Sequence, residues 1–161
     1  MVDARIATSA EQPINSNGAV STAVVDEGDL VGLNTDGELV AADAASGSQV
    51  PAVGLMATPT DDPSTYPDGQ FEYAAKQAEA NRALINEDKV GYVKYGVEVV
   101  NEDEDWDFST AGDARVYLDV GGGFTQTAPS ATDEVAQVVG HAIDDGNTVY
   151  LDIQTDFDIN A

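Results

Sequence analysis

The sequence predicts a mainly β protein, a small β-barrel or sandwich built from two related hairpin units, on three observations. First, one short pattern is written twice, from Glu27 to Ala57 and again from Ala111 to Ile143. Second, Val, Leu and Ile fall in short alternating runs bounded by Gly, Asp, Asn and Pro, the spacing of half-buried strands. Third, 161 residues without a single Cys are enough to bury roughly two thirds of the unfolded surface, so a core forms without disulfides.

The elements follow in order. Residues 1–22 are small and polar, with Ile6, Pro13 and Ile14 as the sizeable apolar points, and read as an extended N-terminal arm. A single β-rich domain is expected over 23–155. Its first unit reads EGDLVGLNTDGELV, a polar stretch, then VPAVGLMA: a Gly-Asp turn, a strand, a glycine turn, a return strand and a further strand. Residues 58–70 carry Pro59, Pro63 and Pro67 and form a loop. FEYAAKQAEANRALI, residues 71–85, places Phe71, Ala74, Ala75 and Ala78 at helical spacing, so one short helix is expected inside a central insertion, 58–88.

KVGYVKYGVEVV, residues 89–100, then puts Val93, Tyr95, Val97 and Val99 on one face and Lys94 and Glu98 on the other, the pattern of one half-buried strand. The second unit reads AGDARVYLDVGGGFTQT, a polar stretch, then VAQVVGHAI, with Gly28 matching Gly112 and Gly54 matching Gly140. TVYLDI closes the domain, and the tail from residue 156 to 161 is expected to fray or to dock on a neighbour. Seven to nine short strands and one helix result.

Asp and Glu number 30 against 6 Lys and Arg, a formal charge of −24. That field repels phosphate backbones and argues against direct nucleic-acid binding, so no nucleic-acid partner is expected. Disorder fits poorly with 42% hydrophobic residues in strand-like runs. A folded protein adapted to molar salt fits better, since the Debye length there is about 3 Å and self-repulsion is screened. No apolar run at the start is long enough for a signal peptide or a membrane span, so the expectation is synthesis in the cytoplasm and no membrane contact.

No constellation of residues points to catalysis, a cofactor or a metal. Asp103, Asp105 and Asp107 alternate like the first ligands of a calcium loop, but Phe108 stands where the loop glycine belongs and Ala114 where its bidentate Glu is needed. A solvated acidic turn is the better reading. His141 is the only histidine and replaces Leu55 of the first unit, which favours a core or interface side chain over a general base. Gly121, Gly122 and Gly123 lack the Lys and Ser/Thr of a phosphate loop and read as a hairpin turn at the place of Asp36 and Gly37. Trp106, Tyr92, Tyr95, Tyr117, Phe124 and Tyr150 are expected mostly in the core, with Trp106, flanked by acids, as a rim residue for a protein contact.

The order of GDLVGLNTDGELVAAD, VPAVGLMATPTDD, VGYVKYGVEVV, GDARVYLDVGGGFTQT and VVGHAIDDGNTVYLDI resembles the head decoration, or capsid cement, proteins of tailed viruses, over residues 23–155. The resemblance implies a structural virion protein, commonly a homotrimer, on the outer surface of an icosahedral capsid. There it stabilises contacts between major capsid protein subunits, with the N-terminal arm along the shell. Combined with the charge, it implies a virus of a halophilic archaeon. The rival reading is a receptor- or glycan-binding head fibre or spike module, for which Tyr66, Tyr73 and Trp106 would have to gather in space. A third is an enzyme with a carboxylate site in an unrecognised fold.

Overall fold

The computed structural model describes residues 4–6, 14–16, 25, 28–56, 91–101 and 106–161. The helix expected over 71–85 and the whole insertion 58–88 lie outside them. Within the described residues the chain is strand and turn, with no helix. In chain order the strands are β1 (Ala4–Ile6), β2 (Ile14–Ser16), β3 (Leu30–Leu33), β4 (Leu39–Ala41), β5 (Ala52–Met56), β6 (Gly91–Val93) and β7 (Tyr95–Asn101). There follow β8 (Arg115–Leu118), β9 (Phe124–Thr125), β10 (Val135–Ala136), β11 (Val138–Ile143), β12 (Thr148–Asp152) and β13 (Asp158–Ile159).

The protein is mainly β, as the alternation predicts, but no barrel closes among the described residues. The strands make a six-stranded sheet, β1-β7-β12-β11-β8-β9, a five-stranded sheet, β2-β6-β5-β3-β4, and a two-stranded ribbon, β10-β13. Every pairing is antiparallel. Closure would need one edge of a sheet to pair with the other. Here β4 and β9 end one side of each large sheet, and the three-residue strands β2 and β1 end the other. Two pieces of residues 1–22 are therefore edge strands on the chain's own sheets.

Alternation decides which side chains go inward. Val97, Val99, Val116, Leu118, Val139, Val149 and Leu151 of the six-stranded sheet meet Leu30, Leu55 and Val93 of the five-stranded sheet in one core. Each such side chain, taken out of water, contributes about 1.5–3 kcal/mol before the entropy of ordering it is counted. The opposite face of the five-stranded sheet holds a second cluster, Val25, Val31, Leu39, Met56 and Tyr92. That sheet is thus apolar on both faces. Gly54 belongs to this second packing: a Cβ there would collide with the Tyr92 ring.

Two three-stranded sets share one layout. In β5-β3-β4 and in β11-β8-β9 the first strand of a hairpin lies between its partner and a later strand. The hairpin of β3 and β4 is closed by bonds from Asn34 N–H to Glu38 O (2.9 Å) and Gly37 N–H to Asn34 O (3.0 Å). That of β8 and β9 is closed by bonds from Asp119 N–H to Gly123 O and Gly122 N–H to Asp119 O, both 3.1 Å. The ladders slip at corresponding places, between Val31 and Gly32 and between Val138 and Gly140. Gly121 to Gly123 form the turn that the sequence predicts.

Residues 89–100 depart from the expected single strand. The chain leaves the five-stranded sheet after Val93 and enters the six-stranded sheet at Tyr95, so β6 and β7 belong to different layers. A bulge follows: β12 pairs Tyr150 with Glu98 and Asp152 with Tyr95, leaving an extra residue in β7, where Gly96 takes φ +80. Glycine reaches that conformation without a Cβ clash. The end of the chain also differs, since it docks on its own body. β13 pairs with β10, Asn160 N–H donates to Glu134 O (3.0 Å), and Asp133 N–H donates to Asn160 O (2.8 Å).

Candidate interaction surface

The outer face of the six-stranded sheet gathers the exposed aromatic side chains of the described residues. One register row crosses four strands, Arg115 opposite His141, His141 opposite Tyr150, and Tyr150 opposite Glu98. Directly opposed residues share a face with Cβ atoms about 4.5–5.5 Å apart, so the four side chains form a continuous strip. The Gly96 bulge adds Tyr95 to it. Without the extra residue Tyr95 would follow Val97 and Val99 into the core; with it, Tyr95 stands 52% exposed opposite Asp152. Tyr150 is 43% exposed.

His141 is exposed, so of the core or interface positions expected for it the structure removes the core. The matching row of the other large sheet runs Leu30, Leu55, Val93, and Leu55 is fully buried. The two rows hold the same place in their ladders but face opposite surroundings: one lies against the shared core, the other looks out to solvent. Leucine is replaced by histidine because the site is wet. Nothing in one copy of the pattern signals that difference.

Tyr117 lies on the same face, with the Arg115 guanidinium 5.8 Å from its ring centroid. Arg115 Nε donates to Asp113 Oδ1 at 2.7 Å and Oδ2 at 2.8 Å, and its Nη2 also reaches Oδ2. The hydrogen bond from Arg115 holds the Asp113 carboxyl below the ordinary carboxylate range, and the same bond raises Arg115. Arg115, Tyr117, Ala136, Val138 and the C-terminal segment Gln154–Asp158, Phe157 included, line an open cleft of about 580 Å³.

Trp106 is partly buried and does not stand free among its acidic neighbours. Its ring stacks on Phe108 at 5.2 Å and tilts against Phe124 at 5.1 Å, and both Trp106 and Phe108 pack against the core. Of the calcium-like run, Asp103 and Asp105 lie outside the described residues, Asp107 is exposed, and Ala114 packs against the core. Among the described residues no three His, Cys, Asp or Glu side chains come together as a metal site. Tyr66 and Tyr73 also lie outside the described residues, and Tyr92 is buried in the second cluster. No described helix is long and apolar enough to cross a membrane.

Sequence reasoning missed Tyr95 and the cleft. The signal for Tyr95 was present: a glycine inside the alternating run VKYGVEVV marks a bulge, and a bulge reverses the faces on one side of it. The cleft had no local signal, because it arises where residues 115–117 meet residues 154–158. No family model, curated protein or solved structure matches this chain.

Proposed function

We propose that this chain is a non-enzymatic structural protein of a virion, a head decoration protein that binds the outside of an icosahedral capsid and stabilises contacts between major capsid protein subunits. The observation that carries the reading is the strip of Tyr95, Tyr150 and His141 on the open face of the six-stranded sheet in a chain of charge −24. Tyrosine offers large contact area with few rotatable bonds, and it is enriched where proteins meet.

The finer organisation belongs to the same proposal. The shared strand order, the matched bulges and the matched turn bonds support two related hairpin units in one domain over 23–155. Residues 1–22 serve as the arm toward the shell, anchored where β1 and β2 pair with the body, and 156–161 form the tail. The protein acts as a homotrimer at the capsid exterior, in a virus of a salt-loving host. Each standard contact buries about 1,600 Å², and repetition over the lattice makes the total large.

The experiment is direct. Purified protein is mixed with expanded, undecorated shells at high salt, and bound copies are counted by electron microscopy. Saturation in multiples of three per lattice site is expected. Absence of saturable attachment overturns the reading.

A further inference from the structure

We propose that the outer strip of the six-stranded sheet receives an arginine side chain of a different protein, seated among the rings of Tyr95 and Tyr150 and the carboxylates of Glu98 and Asp152. The inference rests on the reading of this strip as a protein contact and adds the chemistry of the partner. Register sets the four residues as a checkerboard. Tyr150 stands opposite Glu98 and Asp152 opposite Tyr95, so each ring has a carboxylate beside it both across the ladder and along its own strand. Opposed residues lie about 5 Å apart and alternate residues of one strand about 6.5 Å, which is room for one guanidinium.

The bulge makes the arrangement. Gly96 at φ +80 admits the extra residue, and without it Tyr95 would face the core and leave a bare acidic pair. Both rings are open to solvent. Among the described residues neither carboxylate has an ion pair; Asp152 Oδ2 accepts the Gln154 amide at 3.0 Å.

The same face already carries one contact of this kind. The Arg115 guanidinium lies 5.8 Å from the Tyr117 ring centroid and gives its Nε–H to Asp113. A ring and a carboxylate together hold an arginine there, and the checkerboard repeats that pair twice with no cation of the described residues between them. A guanidinium stacks flat on an aromatic face while its in-plane N–H groups reach carboxylates at the side; an ammonium has no such plane. Rings beside acids therefore favour arginine over lysine.

Charge separates this occupant from others. A second copy of the chain brings 6 Lys and Arg against 30 Asp and Glu, and its net charge of −24 repels it. An apolar or anionic partner surface would cover Glu98 and Asp152 without pairing them, which costs the desolvation of bare charge. An arginine pairs them as it covers them.

The test is NMR titration of the intact protein at molar salt, where general attraction to an acidic surface is screened and the rings decide. Three probes are used: acetyl-Gly-Arg-Gly-amide and its lysine and citrulline counterparts. Saturable shifts of the Tyr95 and Tyr150 ring resonances are expected with the arginine peptide, weaker binding with lysine and none with citrulline. Tyr95→Leu or Tyr150→Leu should weaken the arginine peptide about two- to fivefold, the worth of one exposed ring beside a cation. Both alter exposed side chains, and an unchanged melting temperature establishes that the fold is intact. No saturation by the arginine peptide, equal binding of lysine or citrulline, or indifference to both leucine variants would each overturn the proposal. Shell attachment of the parent, measured in parallel, separates the two readings: shells bound with the arginine peptide ignored sinks this inference alone, and the peptide bound with shells ignored sinks the decoration role alone.

Discussion

Gln137 grips Ala52 across the interior: its Oε1 accepts the Ala52 N–H at 2.7 Å, and its Nε2 donates to the Ala52 carbonyl at 2.9 Å. The side chain is 1% exposed, and the same Nε2 also reaches the Gln154 carbonyl at 2.9 Å. An amide side chain here does what a neighbouring strand would do for β5. It joins β5 of the five-stranded sheet to the residue between β10 and β11.

Replacing Gln137 with Leu should therefore cost about 2–4 kcal/mol, because the Ala52 amide and carbonyl lose their partner in a place water does not reach. Urea unfolding at high salt reads this as a lower midpoint at unchanged slope. A midpoint within error of the parent would remove the bridge from the account of stability.

Gly96→Ala places a Cβ at φ +80 and should cost about 1–2 kcal/mol. Gly96→Asn should cost less, since asparagine tolerates the left-handed region. Equal stability of all three proteins would contradict the bulge that turns Tyr95 outward.

Tyr95→Glu and Tyr150→Glu alter exposed side chains, so melting temperatures should move little. Attachment to shells should fall by at least about tenfold for the double variant, as expected when a central aromatic anchor is lost. Full attachment of the double variant would place the contact on another face.

Asp113 should titrate below an ordinary aspartate, and Arg115→Ala should return it upward, as followed by its carboxyl carbon resonance. A carboxyl depressed by folding contributes stability that is present above its unfolded value and is lost as pH falls through the lower, folded value. The pair is solvent-exposed, so the change in overall stability should be slight.

Transfer from molar salt to 0.1 M should lower the melting temperature, as the Debye length grows from about 3 to about 10 Å and like charges begin to interact across the surface. A transition indifferent to salt would refute adaptation to brine.

Much of the fold was legible in the sequence because strand alternation and glycine turns are local. The turns at Gly37 and Gly121–Gly123 and the strands around Val31 and Val116 sit where the pattern puts them. What escaped depended on distant partners. His141 and Leu55 occupy equivalent rows, yet only the packing of one sheet on the other decides which is covered. Tyr95 changed faces through a single inserted residue. Trp106 looked solvated beside its acidic neighbours, but its ring found Phe124, far along the chain, and turned inward. The C-terminal tail carried no sign that Asn160 would bond back to Glu134.

The passage of the chain from one layer to the other at Lys94, between β6 and β7, has a mechanical meaning. A load that tried to peel the layers apart would be borne by covalent backbone at that crossing, and the body would resist shear as one piece. In the proposed role over a pressurised seam, that property would pass strain on instead of absorbing it.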